Sequence, residues 1–371
     1  MKVAFIHDHL TQSGGAERVL EALQAIWPAA PTYTLLYDKE RMGNQFGHRD
    51  IRPSFLQRMP LSLSRPRWYL PLMPTATESH DLSKFDVIIS SSSAFSKGII
   101  PASNALHICY CHTPTRYLWS DTHNYLQELA VPGPIKRLLP PLLSKLRQWD
   151  MLSTHRVDHF IANSETVKRR IHRYYRRDSD VIHPPVDIDQ FNISNKKKEY
   201  FLIGGRLVSY KRYNLVVQAF TKLGIPLKIF GTAPNETSLR SMAGDNIKFL
   251  GRVSNEQRAH LFANAIAFIH PQEEDFGITP VESMACGRPV IAYRKGGALE
   301  TVIDRKTGIF FDEQSWEELA DTVLQFNEAQ FDPNIIRKHA ETFSLNIFHR
   351  EMHDYVMKKW EEHQRKVIGV A

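Results

Sequence analysis

In each half of this 371-residue chain a short apolar strand segment runs into a pair of glycines and then into a helical pattern. The first is Lys2–His7, followed by a loop over Asp8–Ser13, then Gly14-Gly15, then Ala16–Leu23 with apolar residues at helical spacing. The second is Tyr200–Ile203, followed at once by Gly204-Gly205, with Leu215–Phe220 helical beyond. Further strand segments are Thr32–Tyr37, Asp86–Ser90, His107–Cys111, Val157–Ala162 and Val181–Pro185 in the first half. Pro226–Phe230, Ile247–Leu250, Ala265–His270 and Pro289–Tyr293 follow in the second. Strands that alternate with helical segments predict parallel sheets covered by helices on both faces. The polar stretch Asn192–Glu199 reads as a linker. The chain is therefore predicted to be α/β, with two Rossmann-like domains, 1–190 and 191–345, and a charged helix over 346–371 that packs back on the first.

Composition narrows the classes. At 42% hydrophobic and 23% charged residues the chain is an ordinary globular protein. Three cysteines are too few for a disulfide framework and fit a reducing compartment. No apolar run approaches the roughly 18 residues of a membrane span, and the N-terminus turns polar at His7-Asp8-His9 before a signal-peptide core forms. A cytoplasmic location is expected. The net charge of +7 calls for an anionic partner: nucleic acid, a membrane surface or a small molecule.

Three motifs offer chemistry. Gly14-Gly15 between strand and helix lets backbone approach an anion, although G-x-G-x-x-G, the dinucleotide fingerprint, is incomplete there. Gly204-Gly205-Arg206, with Lys211 and Arg212 close behind, places a bidentate cation and a point charge at the end of the second half's first strand, where open α/β sheets bind ligands. The third is His270-Pro271-Gln272-Glu273-Glu274-Asp275-Phe276-Gly277-Ile278-Thr279-Pro280-Val281-Glu282. Thr279 to Glu282 spells a capping box, with Thr279 as N-cap and Pro280 first in the helix. Amides near Gly277 and Ile278 can receive a diphosphate, and the acids before the cap can accept sugar hydroxyls.

These residues carry a resemblance. Glu274 and Glu282, seven residues intervening, match the E-x7-E signature of the retaining family 4 glycosyltransferases. Pro280–Gly287, Gly296–Val302 and Gly204-Gly205-Arg206 with Lys211 resemble the same family. Gly14–Arg18 and Cys111–Trp119 resemble a bacterial mannosyltransferase-like subgroup that builds O-antigen and other surface polysaccharides. The resemblance implies a GT-B fold, two Rossmann-like domains facing a cleft, with the acceptor on the N-terminal side and the donor on the C-terminal side. It implies that Arg206, Lys211, Gly15, Gly277 and Ile278 hold the donor diphosphate and that Glu282, Gly231 and Val253 contact the nucleoside. Glu274 and His112 would meet the donor sugar. No cofactor beyond a nucleotide-sugar substrate is implied; GDP-mannose is the donor the subgroup implies. A UDP- or dTDP-sugar transferase, an epimerase and a non-catalytic nucleotide-sugar or membrane-surface binding protein are the alternatives.

Several other patterns are set aside. Asp187-Ile188-Asp189 spells a D-x-D metal motif but follows a proline pair, and no metal site is assigned to it. Cys109, Cys111 and His112 lack a second ligand pair at zinc spacing. His7-Asp8-His9 reads as a turn at a strand end, with a role in acceptor binding left open. Residues 133–177 carry eleven Lys or Arg against three acids, a net +8 that exceeds the whole chain's excess. Leu138-Leu139, Leu142-Leu143 and Leu146 interleave the first of these cations, either as a face that lies on an anionic membrane or as a solvated helix whose leucines are core. Nucleic-acid signatures do not accompany the charge.

Overall fold

The structure is a computed structural model that describes residues 1–122, 133–194, 196, 199–232 and 236–369. It divides into two compact units, one of Met1–His183 with Phe348–Ala371 and one of Pro184–Ile347. The predicted α/β class, two Rossmann-like parallel-sheet domains, is what these units are.

The first unit holds β1 (Val3–Leu10), β2 (Thr32–Tyr37), β3 (Ile51–Pro53), β4 (Val87–Ser92), β5 (Leu106–Cys111), β6 (His159–Ala162) and β7 (Ser179–Val181). They form one sheet in the order β3-β2-β1-β4-β5-β6-β7, every described pair parallel. The second holds β8 (Tyr200–Gly204), β9 (Leu227–Phe230), β10 (Ile247–Gly251), β11 (Ala265–His270), β12 (Val290–Tyr293) and β13 (Gly308–Phe311), in the order β10-β9-β8-β11-β12-β13, again parallel. In both sheets the winding direction reverses beside the first strand, between β1 and β4 and between β8 and β11. A crevice opens beyond the carboxyl ends of the strands at such a reversal.

The packing explains the apolar runs. On β8, Tyr200 and Leu202 face one core cluster and Phe201 and Ile203 face another; on β12, Val290 and Ala292 divide from Ile291 and Tyr293 in the same way. A strand buried on both faces needs apolar residues at every position rather than at alternate ones. The helix Gly15–Ile26 buries Val19, Leu20 and Leu23 against its sheet, and Gln24 Nε2 donates to Thr32 Oγ1 at 2.8 Å.

The structure departs from the sequence reading at several boundaries. β1 runs on through His7-Asp8-His9 to Leu10, so these residues are strand and not turn. β7, Ser179–Val181, ends on the first residue of the expected strand Val181–Pro185, and β3 and β13 are not among the strands the sequence predicts. The division expected after residue 190 falls inside the second unit, because the Val186 N–H donates to the Phe343 carbonyl at 2.9 Å and Phe191 is buried. The expected linker is likewise part of that unit: Ser194 Oγ bonds Asn264 Oδ1 at 3.0 Å and its carbonyl accepts from Arg288. Asn195, Lys197 and Lys198 of that stretch lie outside the described residues. The last helix, Leu345–Ile368, packs within the first unit from Phe348 on, where the Phe348 ring meets Tyr110 edge-on at 6.0 Å.

Candidate functional site

The second unit gathers its chemistry at the β8/β11 reversal. After β8 the chain makes a 3-10 turn over Ser209–Lys211, and Arg212 takes a left-handed conformation to start the helix Tyr213–Leu223. This turn brings Lys211 Nζ to 2.8 Å from Glu274 Oε1, with little of either side chain exposed. The Tyr213 hydroxyl and both ring nitrogens of His270 are buried without a hydrogen-bond partner among the described residues. The three groups converge. A Cβ on Gly205 would stand 3.3 Å from Lys211 Nζ and 3.7 Å from the Tyr213 oxygen, and one on Gly277 would stand 3.6 Å from His270 Nε2. Burial pushes His270 down to about 4, with Glu274 opposing and Lys211 assisting, so its ring is neutral near pH 7. Burial, with the nearby Glu274 charge, pushes the Tyr213 phenol up. Buried polar atoms without partners are costly, and several at the open end of a sheet mark where a polar ligand docks.

The helix Ile278–Ala285 begins here, but not as expected. Its N-cap is Gly277, at φ 93°, with no side-chain cap. Thr279 and Pro280 stand inside the first turn, so the Thr279–Glu282 capping box is not formed. The left-handed glycine lets the helix start earlier, and Pro280 then falls where no N–H is left to cap. Glu282, 2% exposed, turns instead to Arg258, whose Nη2 lies 3.4 Å from Oε1. The Gly296-Gly297 pair supports the acidic loop from behind. The Gly297 N–H donates to the Glu274 carbonyl at 2.8 Å, and a Cβ on Gly297 would come within 2.4 Å of Phe276 Cα.

Of the remaining second-unit residues, Arg206 is exposed beside Gly205. Gly231, at φ 115°, lies so close to Gly205 that a Cβ there would sit 1.8 Å from the Gly205 carbonyl oxygen. Val253 lines a groove of about 560 Å³ with Leu250, Arg252, Glu256 and His260 among its walls.

The first unit has its own buried polar cluster at the β1/β4 reversal. His112, 8% exposed at the end of β5, has Nε2 at 2.8 Å from Ser91 Oγ. Ser91 Oγ is 3.1 Å from His7 Nδ1, and His7 Nε2 is 3.6 Å from Glu17 Oε1. A file of four side chains thus leads from Glu17, in the helix that Gly15 opens, to His112. Burial pushes His112 down to about 4, helped by His7 and opposed by Asp8 and Glu17. Burial works to raise the Glu17 carboxyl, but the hydrogen bond and charge of His7 outweigh it and hold Glu17 low. Asp8 is a clamp. Its carboxylate accepts the N–H groups of Ser93, Ala94, Phe95 and Ser96 at 2.6–2.8 Å. Burial alone would raise its pKa, and His9, His7 and those N–H groups bring it below the usual range.

The His112–Trp119 motif is largely a scaffold for His112. Thr115 Oγ1 and Trp119 Nε1 both donate to Asp150, at 2.9 and 2.7 Å, and Asp150 is paired with the buried Lys97. Other cations of residues 133–177 also hold backbone. Arg147 bonds the Leu118 carbonyl at 2.6 Å, Arg156 bonds Glu78 and the Gly98 carbonyl, and Arg177 bonds the carbonyls of Thr154 and Val157. Leu143 and Leu146 are core, whereas Leu138 is 70% exposed. The side chain of Lys136 lies outside the described residues. Cys109, Cys111 and Cys286 are buried, and burial raises the Cys111 thiol well above its usual value and Cys286 to about 12. Asp187 accepts from Gln190 Nε2 at 2.6 Å, and no group of three or more metal-ligating side chains is found among the described residues.

Nothing in the local sequence marks Ser91, inside a serine run, or Tyr213, which reads as an ordinary core residue; His270 opens the third motif but the sequence gives it no role, and only the strand order brings the three to these sites.

Two such Rossmann-like units are the architecture of the GT-B glycosyltransferases. The chain matches the family model for Glycosyltransferase Family 4 over residues 13–190 and that for Glycosyl transferases group 1 over residues 187–343. It is 26% identical to the alpha-1,3/1,6-mannosyltransferase ALG2 of Dictyostelium discoideum over 61% of this chain and 63% of that protein. It is 27% identical to the D-inositol 3-phosphate glycosyltransferase of Mycolicibacterium smegmatis over 53% and 54%. The chain thus spans somewhat more than half the length of these curated relatives. Its fold resembles Anabaena Alr3699/HepE in complex with UDP, with a TM-score of 0.72 at 17% identity over 96% of this chain and 100% of that one. It also resembles WaaG, a glycosyltransferase involved in lipopolysaccharide biosynthesis, with a TM-score of 0.66 at 15% identity over 95% and 99%. The chain belongs to the GT-B glycosyltransferases of these families.

Proposed function

We propose that the protein is a retaining, metal-independent hexosyltransferase that moves mannose from GDP-mannose onto a saccharide or lipid-linked saccharide acceptor in surface polysaccharide synthesis, working at the inner face of the cell membrane. The observation that carries the reading is the Lys211–Glu274 pair facing the unpartnered Tyr213 hydroxyl and His270 ring at the β8/β11 reversal. The mannosyltransferase relative supports the sugar.

Transfer breaks the bond between the anomeric carbon and the diphosphate, so positive charge grows on the sugar and negative charge on the leaving group. Lys211 and Arg206 meet the diphosphate, with the amides of Gly277 and Ile278 at the helix start; in the first unit, Gly15 is the backbone N–H assigned to a phosphate. Glu274 keeps Lys211 aimed and accepts a sugar hydroxyl near the reacting carbon. Glu282, held in place by Arg258, accepts the ribose hydroxyls, while Gly231 and Val253 line the nucleoside. In the first unit, His112 is the side chain assigned to a sugar. The neutral His270 ring adds no positive charge that would oppose the cationic sugar.

The test is a thermal-shift panel of GDP-, UDP- and dTDP-sugars. A donor at a hundred times its Kd stabilises the native state by about 2.7 kcal/mol. GDP-mannose is expected to raise the midpoint most. A larger shift from a UDP- or dTDP-sugar overturns the donor, and no shift from any overturns the site.

A further inference from the structure

Lys97 and Asp150 form an ion pair in the core of the first unit, each side chain 1% exposed. A pair this deep is weak evidence of stability, because apolar residues of the same volume often serve as well or better. Asp150 accepts from the Lys97 ammonium, from Thr115 Oγ1 at 2.9 Å, from Trp119 Nε1 at 2.7 Å and from the Tyr175 hydroxyl. That is about the number of donors a carboxylate can take. Burial pushes the Tyr175 phenol up, so it stays protonated and donates, and its oxygen accepts the Thr115 N–H at 3.4 Å. The far end of the segment that begins at His112 is thus held by one buried carboxylate.

Lys97 reaches the other way. Its ammonium donates to the Ala94 carbonyl at 2.6 Å, in the turn whose N–H groups Asp8 clamps. Ser91 and Ser92 stand directly before that turn, and both hold His112. Ser91 Oγ lies against its Nε2, and the Ser92 carbonyl accepts its N–H at 2.8 Å. The contacts close a ring. From His112 it runs through Thr115 and Trp119 to Asp150, across to Lys97, and back over the clamped turn to Ser91 and Ser92. The helix Gly133–Ser153 that carries Asp150 is a fixed post. Trp149 Nε1 donates to Glu78 Oε1 at 2.8 Å, and a Cβ on Gly98 would stand 2.3 Å from the Trp149 ring.

We propose that Lys97 and Asp150 are positioning residues: their buried pair ties the segment after β5 to the turn after β4 and so sets where the His112 ring stands. This rests on the reading that assigns His112 to a sugar, and goes beyond it in naming what fixes the ring. A reacting group misplaced by about 1 Å loses on the order of a hundredfold in rate, whereas loss of the pair itself need not cost stability.

Lys97→Met/Asp150→Leu removes both charges at similar volume and tests this with two readouts. Imidazole nitrogen–proton correlation spectra of histidine-labelled protein near neutral pH read the His112 tautomer, its signal assigned by its loss in His112→Gln. The wild-type ring is expected to show one tautomer and the double variant a mixture of both. Nucleotide release from GDP-mannose without acceptor is expected to fall in kcat by about tenfold or more, with the donor KM unchanged and the melting midpoint within a few degrees of wild type. Thr115→Val/Trp119→Phe cuts the ring from the other side, leaves the ion pair whole, and is expected to give the same tautomer mixture. An unmoved His112 signal in a folded variant overturns the proposal, whatever the rate does. So does the failure of both variants to fold, which makes the pair a device of stability. A His112→Gln chain that releases nucleotide at the wild-type rate overturns the sugar-contact reading instead, and the tautomer signal still decides the positioning.

Discussion

Glu274 lies 2.8 Å from Lys211 Nζ, so in the proposed function a change at this one residue alters both the carboxylate assigned to the sugar and the aim of the cation assigned to the diphosphate. Glu274→Gln keeps the shape and removes the charge. It is expected to lower transfer about a hundredfold or more while shifting the melting temperature by only a few degrees, and turnover at the wild-type rate would sink the assignment. The Glu17–His7–Ser91–His112 file makes a second prediction. If His7 Nε2–H faces Glu17, then Ser91 donates to His7 Nδ1 and accepts from His112 Nε2–H, which leaves His112 Nδ1 as an acceptor for a sugar hydroxyl. Ser91 is then a positioning residue. Ser91→Ala should cut kcat roughly tenfold, leave the donor KM unchanged and move the acid limb of the pH profile, with Ser91→Thr restoring most of the rate. A uniform rise in KM with an unmoved pH profile would reduce the file to packing. The sequence shows His112 and Glu17 in motifs, but Ser91 stands in a run of like residues and is legible only once β4 lies between β1 and β5.

Among the elements, the loops after β8 and β9 are locked by contact between backbones. A Cβ on Gly231 would sit 1.8 Å from the Gly205 oxygen, and Gly231 holds φ 115°. Gly231→Ala is expected to cost about 2 kcal/mol or more from overpacking and backbone strain and to displace Gly205 from Lys211. A chemical-denaturation midpoint equal to wild type would contradict the geometry. Long, doubly buried strands such as β8 and β11 were legible because their apolar runs are continuous. β3 and β13 were not, because β3 is three largely exposed residues ending in proline and β13 opens on a glycine and is fully buried only at its ends, so neither shows the continuous apolar run of a buried strand. The misplaced start of the helix Ile278–Ala285 has a similar cause. Thr-Pro-Val-Glu satisfies a local cap rule, but Gly277 and the backing of the acidic loop by Gly297 set the start earlier.

Among the described residues four histidines, His80, His107, His112 and His270, are pushed by burial from 6.5 to about 4. His107 is fully satisfied, with Nδ1 at 2.9 Å from the Arg156 carbonyl and Nε2 at 2.9 Å from Ser90 Oγ. Between those two pH values the unfolded chain binds protons that the folded chain refuses. Stability is therefore fully present above about pH 6.5 and falls as pH drops toward about 4, by up to roughly 3 kcal/mol per histidine. Asp8 and Glu17, both held low, extend the loss below the ordinary carboxylate range. Urea midpoints measured across this window should decline steadily toward acid, and a flat profile would show that the rings are protonated without penalty.

The sequence by itself determined the class and order of the elements, the doubly buried strands, the glycine-terminated first strands and the E-x7-E spacing. These follow from local periodicity and from backbone conformations that few residues adopt. Only the tertiary structure decided the partnerships: Lys211 with Glu274, Arg258 with Glu282, Ser91 between two histidines, and Asp150 beneath the His112 motif. Each joins segments distant in the chain, and which segments meet is set by strand order and burial, which no local pattern encodes.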